Sequence, residues 1–435
     1  MAVEFVRTWA RQPWSVGCHW YQHADQPPTG RHTDGENQTV GVVDMTDTPH
    51  EHMVRAFRQA GELAVRWHAD ADADEVLYPA MREWAKAGVR GGLGTVADLP
   101  VVARVAPGVD LQAALDAAAS QGGGVIELAA GDYPLSSTLN LRSGVVLRGP
   151  VGAVARVVLR MRAAFTHERL DENGLSTWAT GLLGYRVSRA GLENLTVVYD
   201  PTLPPPPTLR THKDAFINDP EGRTDLYVVS VRFSASEDCW MTGSKILNSG
   251  SHPLMIEASK HVTIADTAID GAHNKGGAGN GYLNVTRSTH TLMDRLHVRD
   301  LRHLSIQNSD ADHPCRYNVL VNSRLEVDVN YHNGDAGDNL VQDCVIAVPT
   351  WHWWGPIAVG VPGQHLPPGP GNLIFRCDAT RTFPDPARNR HDARSPERVY
   401  RVRDHFEKGV PLILDHGPAP VGGTLYRPAW PRPKN

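Results

Sequence analysis

The chain has 435 residues, of which 41% are hydrophobic and 21% charged, and its formal net charge is −5. Such a chain can bury a large core, but it lacks the basic field that a phosphate backbone requires, so we expect no nucleic-acid partner. No run approaches the roughly 18 apolar residues of a membrane span, and the first residues lack a basic segment followed by an apolar one. We therefore expect a cytoplasmic protein with no membrane partner, and the oligomeric state stays unknown.

The N-terminal quarter of the chain divides into an irregular stretch and a helical one. Residues 1–48 are rich in Trp, His, Gly and Pro without periodicity, which predicts an irregular cover. Between residues 48 and 86, apolar side chains such as Met53 and Phe57 recur at spacings of three and four, which predicts helix. We therefore expect residues 1–108 to form an irregular and helical N-terminal region.

A short helix and a set of short strands follow. Asp110 is a suitable N-cap for an amphipathic helix, which the glycines from Gly122 to Gly124 end. Beyond it, the runs 124–128 and 143–149 are apolar and are bounded by Gly, Asn and Asp. Runs of this length between turn residues are typical of strands.

A repeat of about 24 residues runs through the middle of the chain. A polar or glycine residue is followed three places later by a core residue in the pairs Asn194…Val197, Gly243…Ile246, Asp266…Ile269, Arg295…Val298, Asn318…Val321 and Asp343…Ile346. The first interval is about twice the others, which we interpret as a double step, and an insertion lengthens a later one.

This period predicts an all-β fold, a single-stranded right-handed parallel β-helix (β-solenoid), over residues 109–378. A β-sandwich with evenly spaced strands is the alternative. Residues 379–435, rich in Arg and Pro, have no repeat and are expected to form an irregular C-terminal cover.

Three segments near the start of the repeat resemble a known superfamily. They are Asp110-Leu-Gln-Ala-Ala-Leu-Asp, Gly122-Gly-Gly-Val-Ile-Glu-Leu-Ala-Ala-Gly-Asp-Tyr and Leu139-Asn-Leu-Arg-Ser-Gly-Val-Val-Leu-Arg-Gly. Together they look like the capping helix and first turns of the pectate-lyase-like superfamily. The resemblance implies a right-handed parallel β-helix and carbohydrate-related chemistry. It does not select a reaction, because the superfamily contains lyases, hydrolases, epimerases and non-catalytic tail proteins.

One strand of each repeat is predicted to carry a polar outer face. Aligning these strands places Ile256, Val285, Ile306 and Val329 inside, so their neighbours point outward. The outward set is Met255, Glu257, Asn284, Thr286, Ser305, Gln307, Asp328 and Asn330. A ladder of amides and carboxylates suits an extended glycan substrate, although polar stacks on β-helices can also be purely structural.

Five ionisable residues are the catalytic candidates: Glu257, Lys275, His303, Asp328 and His332. We expect Asp328 and His332 to form one site in which the carboxylate raises the pKa of the imidazole. Lys275 lies in a glycine-rich insertion and is a candidate base or charge neutraliser, or simply a solvated lysine.

The expected substrate-binding residues are Asn284, Arg302, Gln307 and Asn330 on the polar face and Trp351, Trp353 and Trp354 beyond it. Amides and a guanidinium can hold a sugar carboxylate, and indole rings stack on sugar rings. No cofactor is expected. The acidic loop 332–339 carries carboxylate and carbonyl oxygens of the kind that bind calcium, so a calcium ion is kept as an alternative.

Three functions remain open on this reasoning. A polysaccharide lyase would cleave a uronic-acid-containing glycan by β-elimination, with His332, His303 or Lys275 as base. A glycoside hydrolase would use Glu257 and Asp328 as its carboxylate pair. A non-catalytic β-helix would only bind the glycan.

Overall fold

The computed structural model describes residues 2–10, 23–26, 29, 41–74, 80–95, 99–164, 170–172, 174–206, 225–275, 280–349, 355–360, 363–381, 398–400, 402–406, 411–414 and 424–429. They form two compact units, one of residues 1–79 with 420–425 and one of residues 80–419 with 426–435. The first unit contains the helices Ala2–Ala10 and Glu51–Asp74. The first of these helices lies in the stretch that the sequence predicted to be irregular.

The second unit is a right-handed parallel β-helix with one strand per sheet in each turn of the chain. In sheet I the described strands are Val101–Val105, Gly124–Leu128, Val145–Arg148, Gly191–Glu193, Trp240–Thr242, Thr263–Ala265, Leu292–Asp294, Val319–Val321, Leu340–Gln342, Leu373–Phe375 and Arg398–Tyr400. In sheet II they are Leu139–Asn140, Thr180–Tyr185, Val229–Ser234, Leu254–Glu257, Tyr282–Thr286, His303–Gln307, Val329–Tyr331 and Ile357–Val359. In sheet III they are Gly131–Leu135, Ala155–Leu159, Leu195–Tyr199, Lys245–Ser249, Ala268–Ala272, His297–Arg299, Arg324–Glu326, Val345–Val348, Asp378–Arg381, Val402–Phe406 and Pro411–Leu414.

These strands pair in parallel, except that Pro411–Leu414 runs antiparallel to its neighbour Val402–Phe406. Strands therefore occur at residues 398–414, inside the segment that was expected to be an irregular cover. Sheet I likewise begins at Val101–Val105, before the predicted start of the β-helix at residue 109.

The core lies between the three sheets because one face of every strand points inward. In sheet I the inward column is Ile126, Leu147, Leu192, Met241, Ile264, Met293, Leu320, Val341 and Ile374, all of them buried. Each such side chain stabilises the fold by roughly 1.5–3 kcal/mol relative to an exposed position.

Residues in the left-handed region mark the corners of the β-helix. Directly after sheet I they are Asn194, Asp266, Arg295, Asn322, Asp343 and Arg376, with φ between 49° and 55°. Five of the six predicted repeat pairs lie at this corner, but the pair Asn318…Val321 was wrong. Val321 belongs to sheet I, and the equivalent pair is Asn322…Leu325, since Leu325 aligns with Val298 and Ile346.

The long first interval of the repeat is a single turn of the chain. Strand Lys245–Ser249 pairs directly with Leu195–Tyr199, so the expected double step was wrong. The chain between these two strands therefore makes one turn of the β-helix.

The four predicted core residues of sheet II all point inward, as expected. Ile256, Val285, Ile306 and Val329 belong to one buried core. The register of Val329 differs by two residues, however, because it pairs with Leu304 rather than with Ile306. This shift leaves the inward and outward faces unchanged but changes which polar residues are neighbours.

Helical segments cover one end of the β-helix and one of its faces. Helix Leu111–Ser120 buries Leu111 and Leu115 against the core, and the Asp110 carboxylate caps it by accepting from the Ala113 amide at 3.1 Å. The turn after helix Met81–Trp84 lies on sheet I, where the Val89 amide donates to Thr263 Oγ1 at 2.8 Å. Within the described part of the chain, no helix is long and apolar enough to cross a bilayer.

Candidate active site

The outer face of sheet II carries columns of polar side chains. One column runs Arg232, Met255, Asn284, Ser305 and Asn330, and the next includes Ser234, Glu257, Thr286 and Gln307. These side chains are nearly all buried, although they point away from the core. The predicted polar ladder therefore exists, but most of it is covered.

His303 and Asp328 form a close pair on this face. His303 Nδ1 lies 2.8 Å and 2.9 Å from the two carboxylate oxygens of Asp328. Both side chains are fully buried. The Asn330 amide also donates to the Asp328 carboxylate, at 2.9 Å. This arrangement puts the proton on His303 Nδ1 and leaves the lone pair on Nε2, which is the tautomer of a general base.

Tyr282 and His332 complete a cluster of rings around this pair. The Tyr282 ring centroid lies 4.8 Å from that of His303 and 5.4 Å from that of His332. Tyr282 Oη lies 3.5 Å from His332 Nε2, and His332 Nδ1 lies 3.3 Å from Asn330 Oδ1. Burial raises the pKa of Tyr282 to about 12, so its hydroxyl is protonated at neutral pH and can donate.

His332 does not pair with Asp328 as the sequence predicted. Its pKa is lowered to about 2, first by burial and then by electrostatic interactions with His303, His365 and Arg302. Asp328 does raise this pKa, but burial and the other groups outweigh it, so the expected net rise was wrong. The register brings the carboxylate into direct contact with His303 instead. His332 is neutral over the physiological range, and its ring lies 4.4 Å from that of His365.

Glu257 is held in a buried ion-pair network. Its carboxylate accepts from the guanidinium groups of Arg232 and Arg287 and from the Ser176 hydroxyl, the last at 2.7 Å. Burial disfavours the ionised form, but Arg232, Ser176 and Arg287 outweigh it and lower the pKa of Glu257. A carboxylate fixed in this way is poorly suited to the proton transfer that the sequence suggested for it.

Glu257 and Asp328 are also too far apart to act as a hydrolytic pair. Their strands are separated by three spacings along sheet II. Three spacings amount to roughly 14 Å. Glycosidase carboxylates lie about 5 to 9.5 Å apart, so this geometry does not support the predicted pairing.

Lys275 is buried rather than solvated. Its ammonium lies 3.0 Å from the Asp300 carboxylate, and its side chain is 2% exposed. Burial lowers the pKa of Lys275 and raises that of Asp300. This ion pair lies at the corner between sheets III and II.

The predicted substrate-binding residues lie in different surroundings. Gln307 Nε2 donates to Asn284 Oδ1 at 3.0 Å, so a hydrogen bond joins these two predicted binding residues. Arg302 is buried near the ring cluster, where its charge lowers the pKa of His332. Trp351, Trp353 and Trp354 lie outside the described residues.

The acidic loop considered for calcium is occupied by its own hydrogen bonds. The Asp335 carboxylate accepts from the side chains of Asn339 and Asn372 and from the Gly337 amide, at 3.1, 2.8 and 2.7 Å. In the residues that the structure describes, no cluster of three or more His, Cys, Asp or Glu side chains is arranged to hold a metal ion.

Three members of the ring cluster were missed in the sequence: Tyr282, His252 and His365. The His252 ring lies 5.7 Å from that of Tyr282, and burial lowers the pKa of His252 to about 4. Tyr282 was within reach of sequence reasoning, because it lies two residues before Asn284 on the same outward face. His365 comes from a distant loop without a repeat signal.

Three parallel sheets, with one strand of each per turn, lie beneath this site. This parallel β-helix is the fold that the resemblance of residues 110–149 led us to expect. Comparison with models of known protein families finds no match to this chain.

Two curated relatives match short stretches of the chain, and both come from Vibrio sp. (strain JT0107). Beta-agarase B is 46% identical over 57 residues, which is 13% of this chain and 6% of that protein. Beta-agarase A is 54% identical over 44 residues, which is 10% of this chain and 4% of that protein. The chain thus matches a small part of each relative's length.

Several solved structures are similar at low sequence identity. The exopolygalacturonase from Thermotoga maritima has a TM-score of 0.40 and 11% identity, covering 75% of this chain and 94% of its own. The endo-xylogalacturonan hydrolase from Aspergillus tubingensis has a TM-score of 0.43 and 13% identity, covering 72% and 78%. A tailspike protein mutant of E. coli bacteriophage HK620, in complex with a hexasaccharide, has a TM-score of 0.41 and 13% identity, covering 69% and 54%.

Proposed function

We propose that this protein is a carbohydrate-active enzyme that cleaves a uronic-acid-containing glycan by β-elimination. The observation that carries the proposal is the His303–Asp328 pair, in which a buried carboxylate orients an imidazole as a general base. The tyrosine hydroxyl and the guanidinium beside this pair supply the other groups that an elimination requires.

The proposed reaction uses three of these groups. His303 Nε2 takes the proton from the carbon next to the sugar carboxylate, and Arg302 neutralises the charge that develops on that carboxylate. The C–O bond to the leaving sugar then breaks as the C=C bond forms, and the Tyr282 hydroxyl protonates the leaving oxygen. The proton on His303 returns to the tyrosinate, which restores the starting state.

His332 and Asn330 position the acid in this scheme. The neutral His332 ring accepts from the Tyr282 hydroxyl through Nε2, and its Nδ1–H donates to the Asn330 carbonyl. Asn330 in turn donates to Asp328. The acid and the base are therefore oriented by one hydrogen-bonded chain.

A panel of glycans tests the proposal. Purified full-length protein is incubated with polygalacturonate, alginate, hyaluronan and agarose, the last because the two curated relatives are named beta-agarases. Elimination produces an unsaturated sugar that absorbs in the ultraviolet, together with one new reducing end per cleavage. New reducing ends without that absorption would indicate hydrolysis, and binding without either product would indicate a non-catalytic β-helix.

A further inference from the structure

The segment 174–178 lies across the outer face of sheet II. The Ser176 amide and hydroxyl donate to one oxygen of Glu257, at 3.0 and 2.7 Å. Arg232 donates to the Ser176 carbonyl, and Arg287 donates to the Gly174 carbonyl. These partners belong to three successive turns, so the segment crosses the polar columns of the sheet.

Charge-assisted bonds hold this segment in place. Glu257 is fully buried and ion-paired with both arginines, and Ser176 is 5% exposed. Hydrogen bonds to ionised groups are roughly twice as strong as neutral ones, and breaking a buried ion pair is costly. The segment is thus a fixed wall over these turns.

The wall ends beside the ring cluster of the proposed active site. The half-buried Trp178 ring lies 5.0 Å from that of His252, edge to face, and the His252 ring contacts that of Tyr282. His303 and Asp328 follow on the next two turns. The columns on the N-terminal side of this cluster are therefore covered, and a half-buried indole lies at the boundary.

We infer that segment 174–178 closes one end of the substrate groove, so that the enzyme binds a chain end and releases products of one short length. This inference rests on the proposed function. A glycan lying along sheet II can extend from the cluster only away from the wall, because Glu257 and its partners occupy the other direction. The Trp178 ring is then the stacking surface for the terminal sugar.

The size of the products tests this inference directly. The assay uses the panel polymer that the wild type cleaves, and polygalacturonate is the first to be tried. The earliest products should already have a single short length, and the viscosity of the polymer solution should fall slowly. A random ladder of lengths with rapid loss of viscosity would overturn the end-wall inference but leave the elimination proposal standing. If no polymer in the panel is cleaved, both are overturned.

Two variants address the wall itself. Trp178→Ala should raise KM about 10-fold with little change in kcat, since stacking is uniform binding. Leu170→Ala is the matched control, because the backbone of Leu170 pairs with Ser176 while the residue is 54% exposed, and KM of this variant should be unchanged. Arg287→Met removes the bond to the Gly174 carbonyl and should add longer products to the mixture. Unchanged KM in Trp178→Ala and unchanged product lengths in a folded Arg287→Met would contradict the inference.

Discussion

Glu257 illustrates how burial changes the role of a carboxylate. The sequence places it on the polar face, where it was predicted to be catalytic, but Arg232 and Arg287 fix it as a structural anion. Glu257→Gln leaves two guanidiniums without their partner and should lower the free energy of unfolding by about 3–5 kcal/mol. Chemical denaturation measures this loss.

The matched control for this variant is Glu237→Gln. Its side chain is 45% exposed in an ion pair with Arg90, so the change should alter stability by less than about 1 kcal/mol. If Glu257→Gln keeps full stability and loses only activity, Glu257 is catalytic and its structural role is wrong.

The buried His252 makes the stability of the protein depend on pH. Burial lowers its pKa to about 4 from 6.5, so below pH 6.5 the unfolded chain binds a proton that the folded protein does not. The free energy of unfolding therefore decreases as the pH falls from 6.5 to 4, by about 1.4 kcal/mol per pH unit from this histidine.

The variant His252→Asn isolates this contribution. The asparagine carbonyl can accept from the Tyr282 amide as Nδ1 does, but it does not titrate. Between pH 6.5 and 4 the variant should take up about one proton fewer on unfolding, so its free energy of unfolding should depend less steeply on pH than that of the wild type. His332 contributes equally to the slope of the two proteins. Identical slopes over this range would show that His252 does not titrate on unfolding.

The sequence indicated which residues of the candidate site lie near one another, but not how they pair. His303, Asp328 and His332 were recognised, since outward polar residues alternate with the core. Their pairing depends on which residues lie side by side on adjacent strands. A shift of two residues brings Asp328 next to His303 instead of Ser305, and the alternation cannot detect such a shift.

At the scale of elements, a ladder of asparagines supports the turns before sheet I. The Asn339 side chain accepts from Asn318 and donates to Asn372 and Asp335, at 2.9, 3.0 and 3.1 Å. These groups are buried, so Asn339→Ala leaves several without a partner and should cost about 1–3 kcal/mol or more of stability.

Thermal or chemical unfolding measures this cost. Asn140→Ala is the control, because Asn140 is exposed and contributes backbone hydrogen bonds. An effect on Asn339→Ala no larger than that on the control would mean that the ladder is not stabilising.

The aromatic run Trp351-His-Trp-Trp354 remains a predicted binding element. Trp353→Ala and Trp354→Ala should raise KM far more than they lower kcat, because stacking on a sugar contributes to ground state and transition state alike. Steady-state kinetics on the panel substrate separates the two parameters. Equal losses in both, together with a lower melting temperature, would point to a role in folding.

Elements of the fold were predictable where the pattern is local. Residues 110–149 contain the capping helix and first strands as expected, because the N-cap and the glycines act over a few positions. The strands at 398–414 were not expected, since no repeat marks them. The pair Asn318…Val321 fits the repeat pattern as well as Asn322…Leu325 does, because both asparagines precede an aliphatic residue by three places. The sequence does not indicate which of the two lies at the left-handed corner.

At the scale of the whole β-helix, stacking brings distant residues into one site. Tyr282, His303 and Asp328 lie on three successive turns, and each turn adds the same short spacing. In the proposed mechanism such a scaffold holds the acid, the base and the carboxylate that orients the base in fixed positions, as catalysis by orientation requires. The same regularity lets one segment close the groove by crossing three turns.

The most direct test of this account compares the turnover of His303→Gln and Asp328→Asn with that of the wild type on the panel substrate. His313→Gln is the control, because His313 forms an exposed pair with Asp310 and has no place in the proposed site. Both site variants should lose roughly 10²-fold or more in kcat while remaining folded, and the control should retain wild-type turnover. Full activity of both folded site variants would contradict the account.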